Sequence, residues 1–179
     1  GNDSMDTCDK ISCLIAREGL DIKVIGIPKT IDNDLVITDH CPGYGSAARY
    51  AAVSSAELAL DAAALPIHVV VLELMGRNAG WITAAGAMAS RLTDCAQLVY
   101  LPELGVNMDT LLAEVETAYA AGRGLLVTVS EGLCDTQGKP LADSGIVDGF
   151  GHSVPGGVGQ YLSEQIMTRL GIKSRAEKP

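Results

Sequence analysis

The chain is predicted to fold as an α/β protein, a doubly wound, mostly parallel sheet with helices on both faces. Three observations lead there. Short apolar runs at 22–27, 67–74, 96–101 and 125–130 are separated by longer segments with helical spacing. The runs are nearly continuous in Ile, Val and Leu, the pattern of strands covered on both faces, where an exposed sheet would alternate with polar residues. Aromatics are only 4% of the chain, so burial rests on Ala, Leu, Ile and Val, which suits helices packed closely over a sheet.

Each element follows from local chemistry. Met5, Cys8, Ile11, Leu14 and Ile15 recur at helical spacing after Ser4, an expected N-cap, and the helix should stop at Gly19. A strand over 22–27 leads into a loop at 28–34. Gly43 and Gly45 then open an Ala-rich helix over 46–65, which Pro66 ends. A β-branched strand over 67–74, a helix over 79–92 and a strand over 96–101, closed by Pro102, follow. An amphipathic helix over 108–121 stops at Gly122, and the strand over 125–130 completes the set. The stretch 134–151 is rich in Asp and Gly and has no period, so a loop is expected, with Gly156 and Gly157 opening a last helix over 158–170. The main sheet is thus expected within 1–133, and 134–179 as a loop plus helix belonging to a second lobe. The polar start without methionine and the stop soon after a helical pattern suggest the central part of a longer chain, truncated at both ends.

A formal charge of -9 and a pI near 4.7 argue against nucleic acid or an anionic membrane as partner, since no basic stripe is present to displace counterions. An anionic substrate would need local cations: Lys29, Arg49, Arg77, His68 and His152, helped by a divalent metal. The five cysteines, Cys8, Cys13, Cys41, Cys95 and Cys134, include no Cys-x-x-Cys pair, so neither a disulfide framework nor a zinc site is indicated and a reducing cytoplasm fits. No apolar stretch reaches the ~18 residues of a membrane helix, and no basic-then-apolar leader opens the chain.

Three loops carry candidate chemistry. In Pro28-Lys29-Thr30-Ile31-Asp32-Asn33-Asp34, Asp32 can accept the proton that a hydroxyl loses as it attacks phosphorus, and Lys29 can neutralise phosphate charge; an Asx-turn that merely shapes the loop is the alternative. In Met75-Gly76-Arg77-Asn78, Gly76 permits close backbone approach, Arg77 suits a phosphoryl group bidentately and Asn78 is placed to cap the next helix; the alternative is a surface arginine or a salt bridge with Glu73. Glu131, beside Gly132, can hold sugar hydroxyls or be a solvated strand end. At the start, Gly1-Asn2-Asp3-Ser4 places a helix N-terminus toward an anion, or is simple capping by Ser4. Asp3 would repel one phosphate position unless a metal bridged it. His152 can bind a phosphate or cap a turn. Asp39-His40-Cys41 is set aside as a metal site, because adjacent residues in one short run rarely converge on an ion.

In that order Gly-Asn-Asp-Ser, Pro-Lys-Thr-Ile-Asp-Asn-Asp, Met-Gly-Arg-Asn-Ala-Gly-Trp and Ser-Glu-Gly resemble the phosphofructokinase family across almost the whole chain. The resemblance implies phosphoryl transfer to the 1-hydroxyl of fructose 6-phosphate, giving fructose 1,6-bisphosphate in glycolysis. It implies Asp32 as proton acceptor, Arg77 steadying the transferring group, Thr30, Ile31, Met75 and Gly76 in the substrate loops, and Glu131 as sugar ligand. Asn2 stands where many members carry a magnesium-associated aspartate, so Mg²⁺ is the implied cofactor. The pair Asp3 and Lys29, where ATP-using members typically have glycine, resembles the pyrophosphate-dependent branch. Alternatives are an ATP-dependent member and a non-catalytic regulatory subunit of the same fold. The resemblance also implies a cytoplasmic homodimer or homotetramer, and an isolated fragment without activity. ATP-type relatives have arginines where His68 and Pro155 stand, so the familiar 6-phosphate clamp is incomplete.

Overall fold

The computed structural model describes residues 2–65, 68–147, 149, 151 and 153–179, and it is organised around a sheet of four parallel strands. Their spatial order is β2 (Ala96–Tyr100), β3 (Leu125–Ser130), β1 (Val69–Leu74) and β6 (Ser174–Glu177). Val69 lies opposite Leu125 and Leu74 opposite Ser130, so β1 and β3 end level with one another. Both are buried along their whole length, as their near-continuous Val and Leu content requires.

Successive residues of β1 face opposite sides. Val69 and Val71, with Val127 and Val129 of β3, pack against Leu111, Leu112 and Val115 of α4 (Met108–Ala120) and Val158 and Leu162 of α5 (Val158–Gln165). Val70, Leu72 and Leu74 pack against Ala51, Ala59 and Ala62 of α2 (Tyr44–Ala64), and Ile82 of α3 (Trp81–Gly86) joins them. The small residues of α2 at 51, 55, 59 and 62 lie buried on one stripe, which brings that helix close to the strands. Each fully buried Val or Leu of β1 contributes roughly 1.5–3 kcal/mol relative to exposure. Asn107 caps α4, its Oδ1 accepting from the backbone N–H groups of Asp109 and Thr110.

Several expectations are corrected. The run at 22–27 forms no strand: it joins no ladder among the described residues, and Ile25 is 84% and Ile27 85% exposed. Apolar extended backbone becomes a strand only beside another strand's hydrogen-bonding edge, and the edge next to β1 is taken by β6. Ser4 is not an N-cap, because α1 (Asn2–Glu18) begins two residues earlier. The helix expected over 79–92 is α3 followed by a 3₁₀ turn, Ala87–Arg91. Its N-cap is Gly80 and not Asn78, and the Gly80 N–H is satisfied instead by Glu103 Oε1 at 2.7 Å. The stretch 134–179 is more than a loop and a helix. Its β4 (Asp143–Val147) pairs antiparallel with β5 (Ser153–Pro155), and β6 joins the main sheet. After α5 the helix continues as a π-turn, Ile166–Leu170, ended by Gly171 with φ 68°. Gly1, Pro66, Ile67 and His152, which figure in the sequence expectations, lie outside the described residues.

Candidate active site at the carboxyl edge of the sheet

Because β1 and β3 end level, the loops after them meet. The Glu131 N–H donates to the Leu74 carbonyl at 2.9 Å, the Ser130 hydroxyl donates to the Gly76 carbonyl, and the Gly132 N–H donates to Ser130 Oγ at 3.1 Å. Two glycines make this approach possible. A Cβ on Gly132 would stand 1.7 Å from the Arg77 carbonyl oxygen, and one on Gly76, whose φ is +120°, would stand 2.4 Å from that of Ala79. Arg77 and Glu131 are therefore carried on two loops stitched backbone to backbone. Met75 is half exposed beside them.

The loop at 28–34 is held differently. Thr30 forms an isolated bridge with Gly43 and its Oγ1 accepts from the Asp32 N–H at 3.1 Å. Asn33 is buried with φ 58°; its Oδ1 accepts from the Cys41 N–H at 2.8 Å, and its Nδ2 donates to the Asp39 carbonyl at 3.4 Å. Lys29 and Ile31 cross the start of α2, since a Cβ on Gly43 would meet Lys29 Cε and Ile31 Cγ2, each at 3.2 Å. Shaping of the loop thus falls to Thr30 and Asn33. Among the described residues the Asp32 carboxylate accepts no hydrogen bond.

Electrostatics tie the three loops together. Partial burial pushes the Asp32 carboxyl above the usual range, and the negative charges of Asp34 and Glu131 add to the rise; Arg77 and Lys29 oppose it. Only groups within Coulombic reach act in this way, so Asp32, Asp34, Lys29, Arg77 and Glu131 share one region. A partly dehydrated carboxylate with a raised proton affinity, within electrostatic reach of a guanidinium and an ammonium, can take a proton from an alcohol while the cations act on an electron-rich phosphoryl group.

Lys178, and the pairing of Glu73 with it, went unread in the sequence. Glu73, 3% exposed, does not pair with Arg77; its Oε1 accepts from Lys178 Nζ at 2.7 Å and its Oε2 from the Gly159 N–H at 2.8 Å. Lys178 Nζ also lies 3.7 Å from Glu131 Oε2, and its ammonium is held above the usual lysine range, chiefly by the hydrogen bond to Glu73. A charged residue inside the apolar run of β1 was the available signal, because a buried carboxylate requires a partner.

The remaining candidates are not among the charges that act on Asp32. Asn2 and Asp3 fall in the first turn of α1, which meets the 22–27 run where Met5 and Cys8 face Gly26, and Asp3 is not among the charges acting on Asp32. Arg49 is exposed on α2. His68 precedes β1, at the opposite end of the strand from the Arg77 loop. His40 stacks edge-on against Tyr44, with ring centroids 5.6 Å apart, and Cys41 is buried. Among the described residues no three His, Cys, Asp or Glu side chains are grouped to hold a metal ion.

The phosphofructokinase family model matches residues 1–179. The chain belongs to the phosphofructokinase family. This phosphofructokinase chain is 46% identical over 178 residues to a pyrophosphate--fructose 6-phosphate 1-phosphotransferase of Xanthomonas campestris pv. campestris, covering 97% of itself and 43% of that relative. A protein of the same name from Halomonas elongata is 45% identical, with 97% and 42% covered. Among solved structures, a pyrophosphate-dependent phosphofructokinase from Nitrosospira multiformis superposes with a TM-score of 0.81 at 37% identity, covering 99% of this chain and 42% of that one. The α/β parallel sheet is thus shared with the family. The chain spans less than half the length of the curated relatives it matches.

Proposed function

We propose that the full-length protein containing this chain transfers a phosphoryl group from pyrophosphate to the 1-hydroxyl of fructose 6-phosphate. The observation that carries this reading is the joining of the Arg77 and Glu131 loops at the carboxyl edge of a parallel sheet, the place where open α/β sheets hold ligands, with Asp32 and Lys29 within electrostatic reach. The names of the relatives support the same reaction.

In this mechanism the 1-hydroxyl oxygen attacks the terminal phosphorus of pyrophosphate, the bond from that phosphorus to the bridging oxygen breaks, and inorganic phosphate departs. Asp32 takes the hydroxyl proton. Arg77 holds the transferring group, and Lys29 stabilises charge on the departing phosphate. Glu131 accepts hydrogen bonds from sugar hydroxyls, while Thr30, Ile31, Met75 and Gly76 supply the surrounding surface. Asp3 disfavours the extra phosphate of a nucleotide donor. Mg²⁺, when bound, would offset negative charge on the donor; among the described residues no three His, Cys, Asp or Glu side chains are grouped to hold it, in keeping with the small share of ligands that proteins usually give this ion. The protein would work in glycolysis in the cytoplasm as a homodimer or homotetramer; no helix among the described residues is long and apolar enough to cross a membrane.

A coupled assay of the full-length protein with fructose 6-phosphate, Mg²⁺ and either pyrophosphate or ATP tests the reading. Turnover with pyrophosphate and little with ATP is expected, and Asp3→Gly with Lys29→Gly should weaken that preference. Turnover with ATP alone would overturn the donor assignment, and none with either donor would overturn the activity.

A further inference from the structure

Glu73 is an unusual residue for its place. It sits one position from the end of a strand buried on both faces, yet it is charged and 3% exposed. Ionised carboxylates in such surroundings persist only when paired and hydrogen-bonded. Here both oxygens are used: Oε2 takes the Gly159 N–H in the first turn of α5, and Oε1 takes Lys178 Nζ from the chain just past β6. Gly159 leaves no room for a side chain, since a Cβ there would stand 3.1 Å from Glu73 Cβ.

The anchored ammonium has a second neighbour, Glu131 Oε2 at 3.7 Å, whose side chain is 15% exposed. Glu131 also adds to the negative charge around Asp32, so its own charge has a cost in the site unless a cation offsets it. Among the described residues Lys178 is a cation within 4 Å of it, and this lysine comes from a segment outside the three loops.

Resting on the function proposed above, we infer that Lys178 is a positioning residue for the sugar site, fixed by buried Glu73 so that its ammonium offsets the charge of Glu131 and holds that carboxylate toward the sugar hydroxyls. Glu73 anchors the lysine, the lysine orients Glu131, and Glu131 meets substrate. Neither Lys178 nor Glu73 contacts the transferring phosphoryl group in this arrangement. Their loss acts through Glu131, on the sugar and not on pyrophosphate.

The test is a double-mutant cycle in the full-length protein, reading KM for fructose 6-phosphate, KM for pyrophosphate and kcat, with calorimetric binding of fructose 6-phosphate beside them. Lys178→Met should raise KM for fructose 6-phosphate about two- to fivefold, the usual scale for losing a half-exposed ion pair. The KM for pyrophosphate should move less than about twofold, and kcat should fall by less than KM rises. In a Glu131→Gln background the same change should have little further effect, because the group it acts through is gone. Lys178→Arg, which keeps the charge and is expected to fold, should lie between wild type and Lys178→Met. If Lys178→Met does not fold, comparing Lys178→Arg with Lys178→Gln in both backgrounds gives the same coupling. Equal effects in the wild-type and Glu131→Gln backgrounds would overturn the inference, as would a shift confined to pyrophosphate. Wild-type protein that turned over no pyrophosphate but bound fructose 6-phosphate would overturn the reaction alone, and the cycle would then be read from binding. Wild-type protein that bound no fructose 6-phosphate would overturn both.

Discussion

The run at 22–27 and the strand Val69–Leu74 are similar as sequences and opposite as structures. Each is a short apolar stretch leading directly into a loop of the site. Val69–Leu74 lies at the centre of the sheet, buried throughout, and delivers Arg77 with a backbone fixed on one side by β3. The run at 22–27 has no ladder among the described residues, and its isoleucines face outward. The Asp32 loop that follows is fixed from ahead and not from behind, by Asn33 on Cys41 and Thr30 on Gly43. One half of the site is thus held by the sheet, and the other by a local fold against α2.

The largest effect expected from breaking this arrangement is chemical. In the full-length protein, Asp32→Asn should lower kcat by about 10² to 10⁴-fold while leaving the protein folded. The melting temperature should not fall. A carboxyl whose pKa is raised by folding binds its proton more tightly in the folded state, so its contribution to stability declines as pH rises through that range, and at neutral pH its charge opposes folding. Steady-state kinetics and a thermal melt check the two halves of this prediction.

Next is Leu72→Ala in the chain itself, which removes a fully buried side chain from the central strand and should cost about 2–5 kcal/mol in chemical denaturation. Gly132→Ala should follow at about 1–3 kcal/mol, because the Arg77 carbonyl must move away from the new methyl group. In the full-length protein the same change should lower kcat/KM by up to about 10²-fold, since Arg77 and Glu131 move apart. The smallest effect belongs to Ile25→Ala, within about 0.5 kcal/mol for this chain. An Ile25→Ala cost equal to that of Leu72→Ala would erase the distinction between the two runs.

The contrast also marks what the sequence could convey. Continuous Val and Leu in β1 and β3 made the central strands legible, and Ala spacing made α2 legible, because these signals belong to single elements. Pairing belongs to two elements at once. The run at 22–27 carries every mark of a strand except a partner, while β6, Ser-Arg-Ala-Glu, carries almost none and gains its place by hydrogen bonding to β1. The site follows the same division. Asp32, Arg77 and Glu131 stood out because each follows an apolar run at a loop, whereas Lys178 sits beyond a strand the composition did not announce, and its role depends on Glu73 more than 100 positions away. Asn33 was read together with its acidic neighbours, yet only its backbone φ and its bond to Cys41 distinguish a shaping residue from a reacting one.

The convergence of these loops is tested most directly by the pH dependence of kcat/KM in the full-length protein, compared among wild type, Glu131→Gln and Lys29→Met. Substrate ionisation is common to all three and cancels. Glu131 raises the proton affinity of Asp32 and Lys29 lowers it, so the acid limb should move to lower pH in Glu131→Gln and to higher pH in Lys29→Met. An acid limb that stayed in place in both variants would contradict the claim that the Asp32 and Glu131 loops form one site.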